Sequence, residues 1–201
     1  MASQAQKLVW TDVKIPQTNV SVYEALHRRR MSWTFEDKPV NQDVIERMLA
    51  AAVWAPNHRM NEPWRFFVIP KDSPVRRKIA DAIFEALLDE WKSEKRAEPY
   101  REKVLAPPFI IFTYHVADAD GFVEKENYAA LIAAMQNISL AGVAEGIAVT
   151  WDTGRVVRVP AVSTILGAED NWNMTAMLSI GYAAEESASA RTPVTEFARW
   201  V

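Results

Sequence analysis

"KENYAALIAAMQNISLAGVAEGIAVTW", residues 125–151, decides how the rest of this chain must be arranged. From about Lys125 to Glu145 the apolar residues face nearly every side at helical spacing. A helix without a polar face has nothing to offer solvent, so it reads as the buried centre of the fold. Gly142 and Gly146 form a G-x-x-x-G, which in a buried soluble helix means close packing. "GIAVTW", 146–151, follows as a strand, and "PPFIIFTYHV", 107–116, precedes the helix as another. A helix joining two strands permits them to pair in parallel.

Working outward, "RFFVI", 65–69, reads as a strand ended by Pro70, and "TAMLSIGY", 175–182, as the last strand. A helix begins at about Ser21, a suitable cap, and runs to the arginines at 28–30. "NQDVIERMLAAAVWAP", 41–56, has Val44, Ile45, Met48, Leu49, Ala52 and Val53 at helical spacing, with Asn41 as cap and Pro56 as stop. "DSPVRRKIADAIFEALLDEW", 72–91, is a further helix with Ser73 as cap and Pro74 at its first position. A short helix near 160–166 is stopped by Gly167. Helices and short apolar strands therefore share one core, a mixed α and β class. Residues 1–20 read as an arm, in which Trp10 and Ile15 suggest wrapping, and 21–201 as one domain including a C-terminal tail.

Composition narrows the chemistry. The chain has 201 residues and a net charge of −3, which makes no electrostatic case for nucleic acid. It has no cysteine, so disulfides, thiolate metal sites and cysteine nucleophiles are excluded. The N-terminus lacks the apolar core of a signal peptide, and the best candidate span, 128–148, is interrupted by Gln136, Asn137 and Glu145. These features read as a soluble, cytoplasmic protein. The histidines at 27, 58 and 115 fall in no metal-ligand spacing, and no metal is expected. There is no G-x-G-x-x-G after a strand, no phosphate-binding G-x-x-x-x-G-K and no G-x-S-x-G. Chemistry carried by a bound cofactor is the remaining reading. Three arginines in a row exceed what capping one helix requires, and arginine's planar fork suits a phosphate.

In order and spacing, "RRRMSWTFEDKPV" (28–40), "WAPNHRMNEPWRFFVI" (54–69), "AMQNISLAGVAEGIAVTW" (134–151), "ILG", "SIGY" and "RTPVTEF" (191–197) resemble the FMN-dependent nitroreductase family, its short members in particular. The resemblance runs over roughly 21–197. It implies an α+β fold, a three-layer α/β/α sandwich around a central, largely antiparallel mixed sheet. It also implies a homodimer with interlocked termini and FMN at the subunit interface, reduced by NADH or NADPH and reoxidised by a nitroaromatic, quinone or related conjugated acceptor in ping-pong fashion. No side chain need act as an obligatory acid or base. Arg29 and Arg30 match the family's paired arginines at the phosphate and pyrimidine side, with Arg28 in reserve. Met31, Trp54, His58, the segment Thr150, Trp151, Asp152 and Thr153, and Arg191 match further cofactor contacts. Trp64 is expected to anchor the strand beneath.

The chain departs from the family pattern at several places. Met31 stands where serine is usual, Trp33 where an arginine is common, and Met60-Asn61-Glu62-Pro63-Trp64 replaces N-x-Q-P-W. Ala148 replaces a glycine. Met31 removes a hydroxyl donor, and a cleft-facing Glu62 would oppose anionic acceptors. Two other readings remain: a flavin enzyme of the same fold that fragments flavin, dehalogenates or dehydrogenates, and a flavin-binding protein without catalysis.

Overall fold

The computed structural model describes residues 16–185 and 187–201, so the expected arm around Trp10 and Ile15 lies outside the described residues. In chain order the elements are α1 (Val22–Arg28), α2 (Gln42–Ala52), β1 (Trp64–Pro70), α3 (Pro74–Trp91), α4 (Glu94–Leu105), β2 (Phe109–Val116), α5 (Gly121–Ala144), β3 (Ala148–Asp152), α6 (Pro160–Leu166) and β4 (Trp172–Gly181). Ser21 caps α1 by accepting from the Glu24 amide at 3.1 Å. Pro74 opens α3 and Pro160 opens α6, where a missing N–H costs nothing. Gly167 ends α6 at φ 69°, a left-handed turn that glycine takes without a Cβ penalty. Asn41 and Ser73 occupy their cap positions without a side-chain capping bond.

The strands form one sheet in the order β1-β2-β4-β3, and every pairing is antiparallel. The parallel pairing that the sequence permitted between β2 and β3 does not form, because β4 lies between them. From Thr175 to Gly181 β4 is buried without a break, so it needs cover on both faces and a neighbour on both edges. Alternation divides the core in two. Ile111, Val149, Leu178 and Ile180 pack on one face with α2 and α5. Ile110, Phe112, Tyr114 and Met177 pack on the other with α3, α4 and α6. This is an α+β, three-layer arrangement with the sheet in the middle. Helix α5 is not the enclosed centre that its sequence implied. It lies in an outer layer, burying Ala130, Leu131, Ala134, Met135 and Ile138 as one stripe while Tyr128 and Ala129 are exposed.

Helix α5 is closely fitted to its surroundings. A Cβ at Gly142 would meet the Ile147 carbonyl at 3.0 Å, Val149 Cγ2 at 3.1 Å and Met48 Cε at 3.2 Å. Gly142 thus makes the close approach read from the G-x-x-x-G, whereas Gly146 lies past the helix end at φ 73° with nothing within 4 Å of an added Cβ, and serves the turn into β3 instead. Helices α2 and α5 are further joined by Arg47 on Glu145, at 2.6 and 3.0 Å, and by Asn137 donating to the Ala51 carbonyl at 3.1 Å.

Helix α4 has no counterpart in the sequence reading. Its composition is strongly charged, and Pro99 inside it removes one helical hydrogen bond. Tertiary contacts offset that loss. Ala97 and Val104 are fully buried, and Arg101 pairs with Asp81 of α3 at 3.2 Å.

Below α4 sits Arg76, 1 % exposed. Its guanidinium donates to the carbonyls of Val104, Ile69, Pro108 and Pro107. Burial pushes its pKa down to about 10, partly opposed by Asp72. One side chain thereby satisfies carbonyls from β1, α4 and the turn into β2.

Candidate functional site

The end of α1 places four consecutive predicted residues, Arg28, Arg29, Arg30 and Met31, along a cleft of about 500 Å³. Its other wall is the last part of α5 and the turn into β3, with Val143, Ile147 and Val149. The arginines are not equivalent. Arg28 pairs with Glu24 one turn back at 2.8 Å, a helix-surface pair. Arg30 turns back and donates to the carbonyls of His27 and Arg29 at 2.7 and 2.8 Å. That is the capping role expected of a basic residue at a helix C-terminus. Its Nε is nevertheless buried with no hydrogen-bond partner.

Arg29 makes no side-chain hydrogen bond or ion pair among the described residues. Burial lowers its pKa, and the positive charges of Arg191 and Arg30 lower it further. Arg191 therefore comes near Arg29 from the C-terminal tail, where among the described residues it bonds Ser189 and the Ala190 carbonyl. Ser187, also in the tail, donates to the Met31 carbonyl at 3.2 Å. Three guanidiniums converge without a paired carboxylate. An anion would relieve both the repulsion and the unmet N–H of Arg30.

The predicted 150–153 segment is divided by the strand's alternation. Trp151 is half-buried toward α5, where its Nε1 donates to Ser139 Oγ at 2.9 Å. Thr150 faces the other way. Its hydroxyl accepts from the Ser32 amide at 2.9 Å and donates to the Ser32 carbonyl. This double bond between side chain and backbone fixes the chain just beyond the arginines. Asp152 shares the Thr150 face, accepting from Lys103 at 3.0 Å and from the Gly154 amide at 2.9 Å. Thr153 is exposed. Ser32, Ser139 and Ser187 were not singled out from sequence, since lone serines carry no spacing signal.

Trp54 and His58 lie elsewhere. Trp54 follows α2 and is 51 % exposed, while Trp64 is in the core as expected. His58 opens a loop in which Arg59, Met60 and Glu62 all take left-handed backbone conformations, at φ 51°, 56° and 46°. Each costs about 1 kcal/mol or more for a residue with a side chain. The loop is held against that cost by bonds to the start of α5. Asn61 donates to Asn127 at 2.6 Å, Asn127 donates to the Val116 carbonyl at 2.9 Å, and His58 Nδ1 lies 3.2 Å from Glu126. Within the loop, Asn57 accepts from the Glu62 amide at 3.0 Å. Glu62 and Met60 are exposed. Glu126 and Asn127 toward one end of α5 are thirteen and twelve residues from Ser139 toward the other, roughly 20 Å along a helix. A single chain thus keeps the histidine loop and the arginine cleft apart.

Among the described residues, no cluster of His, Asp or Glu could hold a metal ion, and no helix is long and apolar enough to cross a membrane. The model of the nitroreductase family matches residues 26–182, which includes Arg28, Arg29 and Arg30, strand β3 beside the cleft and all of α5. The chain is similar to YfhC of Bacillus subtilis, a protein provisionally named an NAD(P)H nitroreductase. They are 26 % identical over 175 residues, 86 % of this chain and 90 % of that one. Human iodotyrosine deiodinase 1 is 26 % identical over 188 residues, 82 % of this chain and 62 % of that protein. A solved nitroreductase-like protein from Bacillus cereus superposes with a TM-score of 0.82 at 30 % identity, covering 93 % of this chain and 99 % of that one.

Proposed function

The chain belongs to the nitroreductase family, and from that membership we propose that it is an FMN-dependent NAD(P)H oxidoreductase working as a homodimer. The observation that carries this reading is the convergence of Arg29, Arg30 and Arg191, none of them ion-paired among the described residues although Glu185 lines the same cleft, and one with a buried N–H unmet. Such a set fits the phosphate of a mononucleotide. Bound FMN would supply two-electron exchange between NAD(P)H and the acceptor.

The chain's own residues position and bind. Arg29 and Arg191 would hold the phosphate, their mutual repulsion becoming attraction to a shared dianion. Arg30, already fixed by two helix carbonyls, would meet the anion without first losing side-chain freedom. A fixed positive charge there would also favour negative charge developing on the cofactor. Thr150 holds Ser32, and so keeps the arginine segment in register with β3. Met31, Val143, Ile147 and Val149 give the cleft an apolar lining that limits water. No general acid or base is required of the protein, in keeping with chemistry carried by a cofactor.

The homodimer reading is supported by the position of His58, 3.2 Å from Glu126 near the far end of α5. If His58 and the arginines meet one cofactor, two subunits must contribute, which a twofold interface provides twice. Exposed Tyr23, Phe197 and Trp200 supply apolar surface for such an interface. Proposed acceptors are nitroaromatics, quinones and related conjugated molecules. The deiodinase similarity favours a second reading, reductive dehalogenation in the same cleft.

The test is the visible spectrum of the purified protein, before and after anaerobic NADH or NADPH. A yellow protein that bleaches, and regains colour with a nitroaromatic or quinone, is expected. Recovery of colour only with a halogenated phenol would favour the second reading. A colourless protein that takes up no added FMN would overturn both.

A further inference from the structure

On the opposite face of the sheet from the apolar wall of the arginine cleft lies a second cavity of about 410 Å³, between α4, residues 32–35, and strands β3 and β4. Its size is in the range of small-molecule sites. The floor carries Asp152 and Ser179, each 7 % exposed. Lys103 enters from α4, its Nζ 3.0 Å from Asp152 Oδ2 and 5.1 Å from the centre of the Trp33 ring. Trp33 itself is 62 % exposed and offers a flat wall at the mouth. Met177 and Pro107 make the interior apolar.

The hydrogen-bonding groups on this floor are only partly used. Lys103 spends one of its three N–H groups on Asp152. Asp152 accepts one bond at each oxygen, from Lys103 and from the Gly154 amide, and keeps further lone pairs. The Ser179 hydroxyl has no hydrogen-bond partner among the described residues. Lys103 and Asp152 therefore stand side by side as donor and acceptor, with Ser179 on the same face beside Thr150, one step along the ladder, at the bottom of a slot walled by an aromatic ring. A ligand hydroxyl answers that pattern, since it can donate to Asp152 while accepting from Lys103 or Ser179. Charge selects further. Asp152 and the exposed Glu102 outnumber Lys103, which disfavours an anion.

We propose that this cavity binds a neutral hydroxyaromatic molecule, its ring against Trp33 and its hydroxyl at the Asp152–Lys103–Ser179 floor. The site does not depend on the arginine cleft or on a flavin. A pocket built to meet a hydroxyl rejects the analogue that lacks one, because its own polar groups are then left unpaired.

The probe is 4-methylphenol, titrated calorimetrically into the purified full-length chain without NAD(P)H, with toluene as the comparator. One saturable site per chain is expected, with toluene at least tenfold weaker. Trp33→Ala, on the surface, is expected to weaken 4-methylphenol about tenfold, a loss of order 1.4 kcal/mol. Ser179→Ala is expected to narrow the gap between phenol and toluene, with near-ultraviolet circular dichroism confirming that each variant folds. Equal affinity for the two probes, an unchanged constant in Trp33→Ala, or no saturable binding would each overturn the proposal. The probe has no reducible group, so these outcomes are independent of whether the protein binds or reduces FMN.

Discussion

Burial and, next to it, the charge of Arg191 in the C-terminal tail lower the pKa of Arg29 at the end of α1. The two charges oppose folding of the tail onto the domain unless an anion lies between them. Arg29→Ala is therefore expected to weaken FMN about 10- to 100-fold, the worth of one charge-assisted hydrogen bond of roughly 1.5–3 kcal/mol. Riboflavin, which lacks the phosphate, is expected to bind the variant and the parent alike. Fluorescence quenching of each flavin measures both, and an equal loss for riboflavin would count against a phosphate role.

Mixed dimers test whether the site is shared between chains. Arg29→Ala and His58→Ala are each expected to impair flavin binding or turnover. Co-refolded in equal amounts, they are expected to recover intact sites in about a quarter of the total, because each mixed dimer carries one site spared by both substitutions. No recovery would place both residues at one chain's site or at none.

Arg76→Met should destabilise the fold by about 3 kcal/mol or more, since several buried carbonyls lose their donor together. Urea denaturation followed by circular dichroism checks this. Arg76→Lys is expected to restore only part, because an ammonium cannot reproduce the guanidinium's planar fork.

Burial would raise the Glu124 carboxyl, but bonds from His115, the Asp118 amide and Asn173 outweigh it and hold the group below its usual 4.5. A depressed carboxyl contributes stability that is fully present above the unfolded value and is lost as pH falls through the folded one. Stability should consequently fall as pH drops below 4.5, and Glu124→Gln should flatten that acid limb. Thermal midpoints between pH 3 and 7 decide it; parallel curves for the two proteins would reject the assignment.

Gly142→Val should cost about 1–3 kcal/mol by overpacking. Its Cβ alone would lie 3.0 Å from a backbone oxygen that cannot rotate away. A denaturation midpoint equal to the parent's would mean that α2 and α5 part more easily than their contacts suggest.

Much of this architecture was readable from the chain because patterning and burial agree. The apolar stretch was legible as a helix, but α5 buries only one stripe, against the sheet and α2, and is not enclosed on every side. The three arginines at the end of α1 exceeded a capping role, and two of them, Arg29 and Arg30, face a cleft with no ion pair of their own among the described residues. Helix α4 was missed because local composition opposed it; Ala97, Val104 and the Arg101–Asp81 pair decide the matter through tertiary contact. The β2–β4–β3 order was equally hidden, since alternation says which face a residue takes but not which strand lies beside it. The left-handed run at Arg59, Met60 and Glu62 carries no glycine to announce it. Only the asparagines that brace it, Asn57, Asn61 and Asn127, hint at the conformation, and the last of them is far from the loop in sequence.

Because α5 touches the histidine loop at one end and the arginine cleft at the other, its length sets the phase between them. Adding one residue between Asn127 and Ser139 would turn one end about 100° relative to the other. The Asn61 anchor and the Trp151 contact could not then both be kept. Insertions should be tolerated in the exposed tail and excluded from this stretch, so the spacing from residue 127 to residue 139 is a property of the fold as constrained as any side chain in it.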